Sequence, residues 1–300
     1  MTHARPRPQA TFDRRYRALS YPFRVVAEDP GLGRRVDRLM ATFRDGSEGG
    51  PAVTYRLLSP GRRDRRFRVH KAGRCVHRAA TAELALEYLL WDVTSQAVQR
   101  TRDFLVLHAG AVSWAGRGII LPAPPDSGKT TLTAALIRAG FSYLTDEAAP
   151  LDPATGLLHP FPRALWMEAP SIDVVPRLRQ DLPQDLLVAS RPRYQVTSEE
   201  LRPGALGGPC PVRHIIAPAY ATGSAVELEP LSRAEAIVSL AQNSFNFATL
   251  GRPGVSLLAK VVAGAVCYRL RMGSLEGAVD IVRALVGAED RSPHGERASP

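Results

Sequence analysis

Residues 118–140 constrain this chain more than any other stretch. The apolar run 118–122 leads into Ala123-Pro124-Pro125-Asp126-Ser127-Gly128-Lys129-Thr130-Thr131, and the helix-forming run 132–139 follows directly and stops at Gly140. Strand, short loop and helix in that order, with Gly-Lys-Thr at the helix start, is the context in which successive backbone N–H groups surround phosphate oxygens. The helix N-terminus adds positive partial charge, Lys129 neutralises the outer phosphates, and the Thr130 hydroxyl completes a Mg²⁺ shell. Asp126, Ser127, Gly128, Lys129, Thr130 and Thr131 are therefore the expected nucleotide-binding residues, with ATP and Mg²⁺ as cofactors. The loop departs from the usual pattern in two ways. Ala123 stands where a Gly is usual, and Pro124 and Pro125 cannot donate N–H groups, so the donors that remain run from Asp126 to Thr130. Asp126 also sets a carboxylate beside the phosphates, which is unfavourable unless a metal or an arginine offsets it.

After that helix, residues 141–145 read as a second strand and end in the adjacent acids Asp146-Glu147. Carboxylates at the C-terminal end of a parallel strand beside the loop's own strand sit where metal and attacking nucleophile meet. Thr130, Asp146 and Glu147 are thus the expected metal ligands. The alternative is that the acids open a surface turn before Pro150-Leu151-Asp152-Pro153.

Length and composition fit a soluble protein with a real core: 300 residues, 45% hydrophobic, 23% charged. Collagen-like and wholly disordered chains are excluded. No stretch approaches the roughly 18 apolar residues of a membrane span, and the first residues lack the apolar core of a secretory signal, so a cytoplasmic location without a membrane partner is expected. Cys75, Cys210 and Cys267 lie far apart and form no metal-ligand spacing. Of the net +10, all comes from residues 1–100, which hold 20 basic and 10 acidic side chains against 19 of each in 101–300. Only Lys71, Lys129 and Lys260 are lysines, and one of them stands where the phosphate loop needs it. The Arg cluster 62, 63, 65, 66 and 68 enters a strand-like alternation. It reads either as a hairpin edge guarded by charge or as a docking surface for an acidic partner or a phosphate-bearing substrate, and not as a nucleic-acid site.

Residues 22–80 read as short strands (23–27, 53–58, 67–71, 74–77) with a basic amphipathic helix near 32–43, and 81–100 as a core helix that also packs Trp91. Residues 104–122 read as a hairpin turning at Ala115-Gly116. Beyond the acids, strands are expected at 212–218, 225–228 and 265–270, and helices at 232–243, 255–264 and 275–285. Residues 180–210, rich in Pro, Arg and Gly, show no element and read as a lid or insert. The organisation expected is a basic α+β module at 1–100 that recruits substrate, a catalytic domain at 101–286 and a disordered tail at 287–300.

These residues resemble the catalytic domain of HPr kinase/phosphorylase and its relatives, P-loop kinases related to phosphoenolpyruvate carboxykinase. The resemblance runs from about 104 to 286. It is carried by Leu107-His108-Ala109-Gly110-Ala111-Val112, by 121–132, by Leu144-Thr145-Asp146-Glu147, by His159-Pro160-Phe161-Pro162-Arg163 and by Asn243-Ser244-Phe245-Asn246. The Pro-Pro loop is similar to that of an HPr-kinase-related branch that includes kinases of lasso-peptide precursors. The fold implied is α/β, of the HPr kinase/phosphoenolpyruvate carboxykinase type. The roles implied are nucleotide and Mg²⁺ handling by Lys129 and Thr130, proton acceptance by Asp146, and support of the phosphates or of Asp146 by His108, which as a lone histidine in an apolar strand reads equally as a core residue. Glu147 replaces the second Asp of the bifunctional enzymes. The glycine-rich segment that they place after the acids has no counterpart here, which implies a kinase without the reverse activity. The branch's usual Gly at 126 is Asp126. Arg163 and Arg213 are candidates for extra charge on the transferring phosphoryl group. The resemblance also implies homo-oligomers.

The leading expectation is an ATP- and Mg²⁺-dependent kinase acting on a Ser or Thr hydroxyl of a peptide or small protein. A nucleotide-binding adaptor without catalysis, marked by Ala123 and Asp126, and a kinase of a small-molecule hydroxyl are the alternatives.

Overall fold

The computed structural model describes residues 12–46, 51–62, 64–124, 127–182, 193–221 and 223–290. The chain divides into two compact units, Met1–Asp103 and Phe104–Pro300.

In the first unit five strands lie in chain order: β1 (Phe12–Ala18), β2 (Tyr21–Ala27), β3 (Val53–Leu58), β4 (Phe67–Lys71) and β5 (Arg74–Ala79). All neighbours are antiparallel except β2 and β3, which are parallel and connected through α1 (Pro30–Leu39). Hydropathy does not reveal β1, because four of its seven residues are charged, yet its Tyr16 and Ala18 are fully buried. Helix α2 (Ala82–Arg100) starts at Thr81, whose side chain accepts from Leu84 N, and buries Leu86, Leu89, Leu90, Val93 and Ala97. Trp91 is not in that core: it lies one position round the helix from Leu90, beside Tyr88, and is 51% exposed. The Arg cluster leads into β4, which has neighbours on both sides. The sheet edges are β1 and β5, so a charged-edge role for that cluster does not hold. Lys71 belongs to a structural network, donating to buried Asp92 at 2.7 Å beside the Tyr55 hydroxyl.

The second unit is a mixed α/β layer structure. It opens with the hairpin β6 (Leu105–Trp114) and β7 (Arg117–Pro122), followed by α3 (Lys129–Arg138), β8 (Ser142–Thr145), β9 (Ala148–Leu151) and β10 (Leu157–Leu158). Next come β11 (Leu165–Glu168), α4 (Ala169–Val174), α5 (Leu178–Asp181), β12 (Arg193–Val196) and α6 (Ser198–Leu201). The unit closes with β13 (Cys210–Tyr220), β14 (Glu227–Pro230), α7 (Arg233–Gln242), α8 (Phe247–Leu250), α9 (Arg252–Ala263), β15 (Val266–Met272) and α10 (Leu275–Asp290). The main sheet runs β10-β9-β6-β7-β13-β15-β14, with β8 also on β6, while β11 and β12 pair as a separate ribbon.

Alternation along the central strands sorts them between two cores. Leu105, Leu107, Ala109, Ala111 and Ile120 face α7 and α9, whereas Val112, Ile119 and Leu121 pack with Leu132 and Leu136 of α3 and Val282 of α10. Burial on both faces is why these strands read as continuous apolar runs.

Three expectations change here. The strand that carries the acids does not lie beside β7. It pairs antiparallel with β6, whose ten residues accommodate β9 over 105–108 and β8 over 111–113, so β6 separates the acids from the loop's strand. The segment 180–210 contains β12 and α6, the latter with a capping box between Thr197 and Glu200, while 183–192 lie outside the described residues. Helix α10 reaches Asp290, so 287–290 are helical, and 291–300 are outside the description. Among the described residues no helix is long and apolar enough to cross a membrane.

Gly110 lets α3 approach β6, since a Cβ there would stand 2.7 Å from Thr133 Oγ1 with Leu121 behind it. Gly110→Ala is therefore expected to cost about 1–3 kcal/mol by forcing the helix off the sheet. Thermal denaturation checks this, and an unchanged midpoint would mean that the helix yields freely.

Candidate functional site

The loop after β7 is held by its own lysine. Gly128 caps α3 in the left-handed conformation at φ +83°, which an L side chain rarely adopts, and no described side chain caps this helix. Lys129 is 6% exposed, and its Nζ donates to Ala123 O at 2.7 Å and Pro124 O at 2.6 Å. The proline that cannot donate thus supplies an acceptor that folds the lysine across the loop. Ser127 Oγ is buried with no hydrogen-bond partner among the described residues. Asp126, with Pro125, lies outside them.

Across the loop, Asp146 is fully buried and fully engaged. Its Oδ2 accepts from Thr130 Oγ1 at 3.1 Å and from Arg163 Nη2 at 3.0 Å, and Tyr143 OH lies 3.1 Å from Oδ1. The acids are not an exposed turn. Thr145 Oγ1 accepts from Glu147 N and Ala148 N at 3.3 and 3.2 Å, which sets the reversal between β8 and β9 and fixes both carboxylates. Burial, with Asp146 alongside, pushes the Tyr143 hydroxyl well above its usual range, so it serves as a donor.

Glu147 faces His108, with Oε1 3.5 Å from Nε2, and its Oε2 accepts from Arg163 Nη2 at 3.3 Å. Burial raises the Glu147 carboxyl despite Arg163 nearby. Burial, aided by the charges of Lys129 and Arg163, brings His108 down to about 4, so it is neutral at pH 7. Its backbone is clamped by the stretch 243–246: His108 N donates to Asn243 O at 2.6 Å, the Asn246 amide bridges Val106 N and Phe104 O at 2.9 Å each, and the Phe245 ring packs 5.3 Å from the imidazole.

The His108 shift has a consequence for stability. An unfolded histidine takes up its proton near 6.5 and this one, folded, near 4, so as pH falls across that window the unfolded chain gains the proton first and stability is lost. Glu147 works in the opposite sense, because the folded form binds its proton first. His108→Gln is expected to remove a loss of at most ~3 kcal/mol between pH 6.5 and 4. Urea denaturation of both proteins across that range measures it, and parallel pH curves would contradict it.

These groups open on one cleft of about 910 Å³, lined by His108, Lys129, Thr130, Glu147, Arg163 and Phe245, and beyond Thr131 by Trp166, Glu168, Ser171 and Arg193. Asp146 stands behind that lining. Thr131 Oγ1 donates to Ser171 Oγ at 2.8 Å. Trp166 and Glu168 share one face of β11, and Arg193 lies opposite Glu168 on β12. Sequence reasoning missed this ribbon, because four-residue strands separated by a long insert leave only a weak alternation. Arg213 is exposed on β13 and does not line the cleft.

The oxygen donors at this point are of the type Mg²⁺ takes. Thr130 Oγ1 and Asp146 Oδ2 are 3.1 Å apart with the Glu147 carboxylate adjoining, and Mg²⁺ takes one or two carboxylates together with phosphate oxygens and water. No group of three or more His, Cys, Asp or Glu among the described residues makes an all-protein cage.

No known protein-family model matches the chain, and no curated protein matches it. Among solved structures the chain is similar to the Hpr(Ser) kinase/phosphatase from Coxiella burnetii, at 12% identity and a TM-score of 0.31, over 62% of this chain and 95% of that one. At that level neither a fold family nor an activity passes from it to this chain.

Proposed function

We propose that the chain is an ATP- and Mg²⁺-dependent kinase that transfers the terminal phosphoryl group to a Ser or Thr hydroxyl of a peptide or small protein. The observation that carries this reading is the single network in which the loop-helix hydroxyl Thr130, the buried Asp146 and the guanidinium of Arg163 meet at a cleft shared with Lys129. Phosphoryl transfer depends on positioning and charge neutralisation, and these groups are what it requires. Thr130, Asp146 and Glu147 would hold Mg²⁺, which when bound neutralises charge on the phosphates. Lys129 and the N–H groups at the start of α3 bind the phosphate chain. Asp146 takes the proton of the acceptor hydroxyl as the new O–P bond forms and the bond to the bridging oxygen of the departing diphosphate breaks. Its Oδ2 becomes reachable as Thr130 and Arg163 turn to their ligands. A lasso-peptide or related precursor as acceptor rests on the sequence resemblance of 104–286 alone.

Incubation with γ-labelled ATP, Mg²⁺ and a serine-bearing peptide encoded beside the gene tests the proposal. A mass gain of one phosphate on the peptide supports it. Nucleotide binding without any transfer would leave the adaptor reading in its place.

A further inference from the structure

We infer that Arg163 is an exchangeable cation: it bridges Asp146 and Glu147 in the place that a divalent ion would take, and its guanidinium passes to the terminal phosphoryl oxygens when metal and nucleotide enter together. The inference rests on the kinase reading above and adds a coupling between metal and nucleotide that the reading alone does not require.

One nitrogen, Nη2, serves both carboxylates, at 3.0 Å from Asp146 Oδ2 and 3.3 Å from Glu147 Oε2, and that same Oδ2 holds Thr130. Three of the four atoms at this point therefore belong to the expected metal ligands, and the fourth is a positive charge bonded to both carboxylates. A divalent cation and a guanidinium cannot share such a position, since like charges a few ångströms apart in a site shielded from water repel strongly. Metal entry requires Arg163 to release at least one carboxylate. Its Nε is buried, in a side chain only 6% exposed, without a hydrogen-bond partner among the described residues, so part of its donor fork is unspent there. A planar fork of N–H donors matches a phosphoryl group in two-point contact, which a lysine does not reproduce. The guanidinium also lies 5.2 Å from the centre of the Trp166 ring, an aromatic face over which it can shift while keeping its cation–π contact. Both Arg163 and Trp166 line the cleft. Ligands that each favour the same rearrangement bind cooperatively, and the coupling is reciprocal.

The test uses the full chain with Mn²⁺ as the metal probe, its binding read by the loss of the free-ion electron-spin signal, with and without a non-hydrolysable ATP analogue. In wild type, Mn²⁺ alone is expected to bind at least about tenfold more weakly than with the analogue. Arg163→Met should tighten binding of Mn²⁺ alone by about tenfold and weaken binding of the analogue. Arg163→Gln removes the charge but leaves a shorter polar side chain, so it replaces Arg163→Met should that variant fail to fold by circular dichroism. Mn²⁺ binding to a folded variant that is no tighter than to wild type overturns the inference and leaves the kinase reading standing. A folded wild type that binds no analogue in the presence of Mn²⁺ overturns the kinase reading itself.

Discussion

Asp146→Asn is expected to lower phosphoryl transfer by about 10³-fold, the range over which a positioned base contributes, while affinity for metal-free nucleotide stays within a few-fold of wild type. The substitution preserves shape and the Tyr143 contact, but an amide cannot take the acceptor proton, and it leaves Thr130 and Arg163 with a weaker partner. Single-turnover transfer measured beside nucleotide binding separates the two effects. Unchanged transfer by Asp146→Asn, together with loss in Glu147→Gln, would move the proton acceptor to the neighbouring carboxylate, the one that lines the cleft.

The second large effect is on stability. Arg163→Met is expected to cost about 3–5 kcal/mol, because it strands a fully buried carboxylate without its cation. Burial alone would pull the guanidinium down, but Asp146 and Glu147 outweigh it and hold Arg163 charged. For a unit of this size the thermal midpoint should fall by roughly 6–20 °C. A midpoint within a degree or two of wild type would show that the buried carboxylate does not depend on this cation.

The loop, its helix and the hairpin before it were legible because each carries a local signal: Gly128 for a left-handed cap, Lys129 at the helix start, Ala115-Gly116 for the turn. The acids Asp146 and Glu147 were legible as residues, but their setting was not. That β6 would lie between them and the loop's strand depends on how one ten-residue strand divides its partners, and pairing of that kind leaves no mark on hydropathy. Arg163 was legible as a candidate phosphoryl-binding charge alongside Arg213, with no local signal to say which of the two reaches the site. Its burial between two carboxylates is a fact of tertiary structure, as is the β11–β12 ribbon that brings Trp166, Glu168 and Arg193 to the same cleft. Strand β1 failed for the opposite reason, since its arginines hide a strand whose inward face is only Tyr16 and Ala18.

The central claim, that the loop at 123–131 holds nucleotide phosphates, is tested most directly by calorimetric titration of ATP with Mg²⁺ into wild type and Lys129→Ala, each first shown to be folded. Wild type is expected to bind, and loss of charged hydrogen bonds from Lys129 should weaken binding by about 100-fold, or ~2.7 kcal/mol. Equal affinity in the two proteins, or no binding by folded wild type, would contradict the account.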